Sequence, residues 1–299
     1  ELAQAIEGLG MSIHVAPGIL SMSMLSTDFK QGLSFLTEIV TESTFHKDAV
    51  EKIRQHQLTD IYDYWDNPSQ FIDQIARQAV YENHPYSLPV QGTLESIQKI
   101  THEDLLNYYK NTISPDGARL VIAGDLSSID LPSLLNATIG RWHRVPVADI
   151  HFPPITPTQA RTINHTINRD QITLGFAGLS IEVKNPAFDA LLLFDQIFSG
   201  GSLGSMSSRL YELREQSGLF YSIGGSLLTG ADEQPGMTFI NTMVSQDRLS
   251  EAEKAIKNTI DTAVTTLKEE ELDEAKNAII NSLPDSAESN IQIAGTLLL

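Results

Sequence analysis

The chain has 299 residues, 41% of them hydrophobic and 7% aromatic, which is the composition of a folded protein of two domains rather than one. A formal net charge of −18 leaves no basic patch for nucleic acid or an anionic membrane, and suits either a cationic peptide substrate or solubility alone. Without Cys there are neither disulfides nor thiolate zinc ligands; a Cys-free chain fits an oxidising compartment, so a periplasmic or secreted bacterial protein is expected. No apolar run reaches the length of a membrane span.

In chain order, residues 1–10 read as the end of an amphipathic helix, with Leu2, Ile6 and Leu9 on one face. Residues 11–26 alternate around Pro17-Gly18, as a hairpin does. Helices are predicted over 29–40, 47–65 and 71–81, the last two separated by Asp66-Asn67-Pro68-Ser69 as a break and a new cap. Asn83-His84-Pro85-Tyr86 is a turn. Thr101 opens another helix with acidic residues in its first turn, 118–123 reads as a short buried strand, and 131–142 as a helix. Pro146, Pro153, Pro154 and Pro157 interrupt every periodicity, so 146–160 is predicted to link a first domain, 1–145, to a second, 161–299.

The second domain opens with two strand-like runs, 161–167 and 171–179, followed by a helix over 186–198. Phe198 to Ser205 contains Gly200, Gly201 and Gly204 and is too rich in Gly for a helix or strand interior. A short helix follows, capped by Ser207 or Ser208, with Leu210 and Leu213 on one face and Arg214 in the last turn, where the helix dipole favours a cation. Gly218 is placed to take the left-handed conformation that ends it. Residues 219–228 and 237–244 read as strands, 249–267 and 269–282 as helices, and the chain closes on an apolar, helical run ending at Leu299. Strands and helices are interspersed without a strict β-α-β rhythm, which indicates an α+β fold.

The string Ser208-Arg209-Leu210 through Leu213-Arg214 to Gly218-Leu219 and Tyr221-Ser222, preceded by its Gly-rich loop, resembles the second-half signature of the insulinase/pitrilysin family of zinc metallopeptidases, which includes the mitochondrial processing peptidase. Glu1-Leu2-Ala3 through Gly10, Asp66-Asn67-Pro68, His84-Pro85-Tyr86, Gly92 to Ile97 and Thr101 to Gly124 also resemble strings of that family's first domain, so the resemblance covers nearly the whole chain. It implies two related α+β domains, each a largely antiparallel sheet backed by helices, and both incomplete here. It also implies that Arg214 and Tyr221 face a substrate held over zinc.

Zinc hydrolysis needs three protein ligands, an open water position and a base. The family supplies these from His-x-x-Glu-His on a helix. None of the eight His, at 14, 46, 56, 84, 102, 143, 151 and 165, has a His four residues away, and no Glu-His pair exists. Aligned on Asp66-Asn67-Pro68, Asp60 falls at the family's third-ligand position and Ile53 where a further Glu is usual. Asp is one methylene shorter than Glu, placing its oxygen about 1.5 Å back against a bond of about 2.0–2.2 Å. Asp60 is therefore either a strained ligand or an exposed helix carboxylate.

The resemblance thus implies a subunit that binds peptide without carrying zinc. Arg214 would offer its fork of N–H groups to a peptide carbonyl or carboxylate. Tyr221 would donate to the oxygen that gains charge during attack. Gly200, Gly201 and Gly204 would let the loop approach an extended peptide, and the zinc would belong to a homologous partner. Two alternatives stand beside it: a fragment of a complete zinc endopeptidase whose motif lies upstream, and a scaffold subunit without catalysis.

Overall fold

The structure is a computed structural model in which residues 2–298 are described. Leu2–Gly8 forms α1, Phe29–Thr41 α2, Lys47–Asp66 α3, Pro68–Tyr81 α4, Leu94–Lys99 α5, His102–Thr112 α6 and Leu131–Ala137 α7. Phe188–Phe198 forms α8, Arg209–Ser217 α9, Leu249–Thr262 α10, Glu269–Ser282 α11 and Asn290–Leu298 α12. The strands are β1 (Ser12–Ala16), β2 (Ile19–Ser23), β3 (Gln171–Leu179), β4 (Ile223–Thr229) and β5 (Met237–Ser245). Every ladder is antiparallel, in the orders β1-β2 and β3-β5-β4, so the fold is α+β. Glu1 and Leu299, the outer ends of the two predicted terminal helices, lie outside the described residues.

Packing divides the chain into two compact units. One comprises 1–54, 98–150 and 283–299, the other 55–97 and 151–282. In the first, the β1-β2 hairpin turns at Pro17-Gly18, and Ile6, Met11 and Phe35 form a small core with Met22, Met24 and Ile39 around it. Thr101 and Asp104 cap α6 reciprocally, each accepting the other's backbone N–H. The Tyr109 hydroxyl donates to the Val40 carbonyl at 2.9 Å, tying α6 to α2.

Two expected elements differ here. Residues 118–123 join no ladder, and Leu120 is 45% exposed; a strand needs a partner for its backbone groups, and neither β1 nor β2 supplies one. The helix predicted over 131–142 ends at Ala137, because Thr138 leaves helical geometry (φ −114°, ψ −105°) and a separate 3-10 turn follows at Ile139–Arg141.

The second unit is built on β3-β5-β4, which is covered on both faces. Alternation along β5 sends Ile240 and Val244 to one side, where Phe198, Leu210, Phe220, Ala252 and Ile256 meet them. Met237 and Phe239 point the other way, onto Ala76, Val80 and Tyr81 of α4. Helix α4 therefore packs with the sheet of residues 171–245. Its start is fixed by Asn67, whose side chain accepts from Ser69 N–H at 3.0 Å, with Pro68 at the first helical position.

At the far end of α4, His84 is buried against Tyr81, Tyr86 and Phe152, and its Nδ1 accepts the Tyr86 N–H at 3.1 Å. Burial holds this imidazole below its ordinary pKa. Residues 161–167, predicted as a strand, are exposed and unpaired; β3 pairs through β5 and begins only at Gln171. The strand predicted from Leu219 likewise begins later, at Ile223, because residues 219–222 bend away from α9 before the ladder with β5 starts.

Candidate functional site

The site is built outward from α8. That helix ends at Phe198, and Ser199 donates its hydroxyl to the Asp195 carboxylate at 2.5 Å while accepting the Gly201 N–H at 3.2 Å. The loop then closes on itself, with the N–H groups of Gly204 and Ser205 both donating to the Gly200 carbonyl, at 2.9 and 3.2 Å. Gly200 and Gly201 have φ of 97° and 53°, a region costly for side chains. A Cβ on Gly200 would stand 2.9 Å from the Ser205 nitrogen, and one on Gly201 2.5 Å from Gln196 Oε1. The glycines are thus required by the fold of the loop itself. Gly204 also takes a positive φ, 71°, with open space around it.

Ser208, buried, caps α9 through the Tyr211 N–H, and Leu210 anchors the helix in the core. Arg209 fastens its other side. Its Nε and Nη2 hold the two Glu271 oxygens at 2.5 and 2.7 Å, and Nη1 and Nη2 reach Thr266 Oγ1 and the Thr266 carbonyl. Those hydrogen bonds hold the Glu271 carboxyl below its usual pKa.

Arg214 lies on the open side of α9. Its guanidinium sits 5.6 Å from the Tyr211 ring centroid and 3.8 Å from a Glu215 oxygen, beyond hydrogen-bond reach. Among the described residues its N–H groups make no side-chain hydrogen bond, so the fork remains available. Gly218 ends the helix at φ 60°, its N–H on the Arg214 carbonyl. Phe220 then turns into the core and Tyr221 turns out, 84% exposed. Behind it the buried Thr242 hydroxyl donates to the Ser222 carbonyl at 2.6 Å, pinning the backbone next to Tyr221.

The structure therefore gathers the Gly-rich loop, Arg214 and Tyr221 around one helix: the loop at its start, Arg214 on its last turns, and Tyr221 just beyond its end. Asp60 is not joined to a metal centre. It lies exposed on α3, as do His56 and Ile53, and among the described residues no group of three or more His, Asp or Glu is placed to hold a metal ion. The described residues do not fit a zinc site. No described helix is long and apolar enough to cross a membrane.

Comparison with known proteins identifies the family. The model of the family described as "Peptidase M16 inactive domain" matches residues 99–279, and that of "Insulinase (Peptidase family M16)" matches residues 8–94. The chain belongs to the M16 peptidase family.

An M16 relative from Bacillus subtilis, "Uncharacterized zinc protease YmxG", is 26% identical over 97% of this chain and 70% of its own length. One from Helicobacter pylori, "Non-peptidase homolog YmxG", is 23% identical over 94% of this chain and 65% of its own. The crystal structure of a peptidase M16 inactive domain from Pseudomonas fluorescens superposes with a TM-score of 0.82 at 24% identity, covering 99% of this chain and 72% of that one. That likeness establishes the M16 fold.

Three site residues were not singled out from the sequence: Asp195, Arg209 and Thr242. Asp195 has a usable signal, a lone carboxylate inside the apolar run Leu191 to Phe198. Thr242 has none, since a Thr in a strand is ordinary.

Proposed function

We propose that this chain is the peptide-binding, zinc-free component of an M16 peptidase, and that a homologous chain or another segment carries the His-x-x-Glu-His zinc site. The observation that carries the reading is an Arg214 fork held only by a 3.8 Å ion pair with Glu215 and the Tyr211 ring, beside an outward Tyr221 on a firmly fastened helix, in a chain whose described residues group no metal ligands. Helix α9 is nine residues, about 13 Å long. The loop at one end and Tyr221 at the other would flank about four residues of an extended peptide.

Arg214 would clamp a carbonyl or carboxylate of that peptide, and Tyr221 would donate to the oxygen that gains negative charge. When bound to the complete enzyme, zinc would supply the activated water. The net charge of −18 favours a basic peptide. A heterodimer in a periplasmic or secreted setting suits the reading, and the Cys-free sequence is compatible with it.

The H. pylori relative, a "Non-peptidase homolog", favours a second reading, a scaffold without catalysis. Arg214→Ala separates the two. Measured with a fluorescein-labelled, unstructured peptide rich in Arg, Lys and Leu, the binding reading predicts a Kd raised about tenfold or more, the loss of one charge-assisted contact. A Kd unmoved by Arg214→Ala, or no peptide binding at all, moves the scaffold reading to first place.

A further inference from the structure

We propose that Asp195 is a positioning residue, holding the Gly-rich loop and strand β4 in a single arrangement so that the peptide-binding face is formed before peptide arrives. It extends the peptide-binding reading above and rests on it. Asp195 is 4% exposed, and no Lys, Arg or His pairs with it among the described residues. A buried carboxylate is costly unless its oxygens are hydrogen-bonded. Here they accept three donors. Oδ1 takes the Ser199 hydroxyl at 2.5 Å and the Leu227 N–H at 2.9 Å, and Oδ2 takes the Ser226 hydroxyl at 2.9 Å.

The donors belong to two pieces of the site: Ser199 begins a chain that reaches the loop, and Ser226 and Leu227 belong to β4. Ser199 passes the constraint to the loop through its bond from Gly201 N–H, and Gly200 O then gathers Gly204 and Ser205. Ser226 and Leu227 lie in β4, the strand that Tyr221 leads into, and Ser226 Oγ also accepts the Leu228 N–H at 3.0 Å. A hydrophobic side chain at 195 would avoid that cost but would make none of these bonds. The carboxylate costs stability relative to that alternative and provides directional bonds to both pieces.

The two legs can be cut separately. Ser199→Ala removes the link to the loop and leaves both β4 donors on Asp195. Ser226→Ala removes one β4 donor and leaves the loop link. Asp195→Ala removes both carboxylate links and leaves the Ser199 hydroxyl only its bond to the residue 195 carbonyl at 3.0 Å, while Asp195→Asn keeps an oxygen that can accept from Ser199 and Leu227. Two readouts are taken on the full chain: hydrogen exchange at the Gly201 amide, and Kd for the labelled basic peptide.

For Ser199→Ala and Asp195→Ala we expect Gly201 exchange to accelerate, and Kd to rise, about tenfold or more. Ser226→Ala should lower the melting temperature with Gly201 exchange unchanged, and Asp195→Asn should recover part of the protection. Should Asp195→Ala not fold, Asp195→Asn decides, with intermediate Gly201 exchange expected and exchange unchanged from the parent chain overturning the proposal, because Ser199→Ala removes the Gly201 acceptor itself. Should Arg214→Ala leave peptide binding unmoved, the peptide reading fails and Gly201 exchange alone judges Asp195. Gly201 exchange within about twofold of the parent chain in Ser199→Ala overturns the proposal.

Discussion

Tyr221→Phe is expected to lower kcat about a hundredfold to a thousandfold in the complete, zinc-bearing assembly, with an unchanged melting temperature. A hydroxyl aimed at a developing oxyanion stabilises the transition state more than the bound substrate, so its loss appears in turnover. Removing one such donor typically costs about 2.7–4 kcal/mol. The structure explains why the fold should be indifferent. Tyr221 is 84% exposed, its hydroxyl bonds to no described residue, and the neighbouring Phe220 and Ser222 do the anchoring. A kcat within about twofold of the parent, far below the tenfold that 1.36 kcal/mol represents, would make the residue structural and remove the catalytic role from this stretch.

Arg209→Ala is expected to be the most destabilising single change at the site. The pair with Glu271 is bidentate, and the two side chains are 16% and 20% exposed. Breaking a buried pair from one side costs about 3–5 kcal/mol; the remaining solvent access places this case at the lower end. The loss leaves Glu271 with only the Lys268 N–H, at 2.8 Å, and removes the bidentate tie between α9 and α11. Arg209→Lys should recover little, since a single ammonium cannot span both carboxylate oxygens and Thr266.

The pair also predicts a pH dependence. The folded-state pKa of Glu271 lies below its ordinary value, so its contribution is present above the usual carboxylate range. It disappears as pH falls through that range toward the depressed folded value. Urea unfolding from neutral to acid pH should therefore show a steeper loss in the parent than in Glu271→Gln. Parallel curves would contradict the assignment.

Much of this arrangement is legible in the residues. Gly218 sits where only a left-handed cap could end α9, Ser208 caps its start, and Asn67-Pro68 marks the break before α4; each is a local rule that tertiary contacts did not override. The paired segments failed where the rule was not local. Residues 118–123 and 161–167 have strand composition, but a strand exists only with a partner, and that information is held elsewhere in the chain. The same holds for the site. Arg214 and Tyr221 are singled out only by the resemblance of their string, and helix and cap fix where they sit. Asp195, Arg209 and Thr242 act through residues 4 to 62 positions away, and no spacing in the sequence encodes those pairs. Asp60 shows the reverse: the resemblance puts it at a ligand position, yet among the described residues it belongs to no group of three or more metal-ligating side chains.

The most direct test of the central claim is the zinc content and peptide hydrolysis of the purified 299-residue chain, alone and mixed with a homologous chain carrying His-x-x-Glu-His. The account predicts no stoichiometric zinc and no hydrolysis alone, with hydrolysis on mixing that Tyr221→Phe suppresses. About one tightly held zinc per chain, together with hydrolysis by this chain alone, would contradict it.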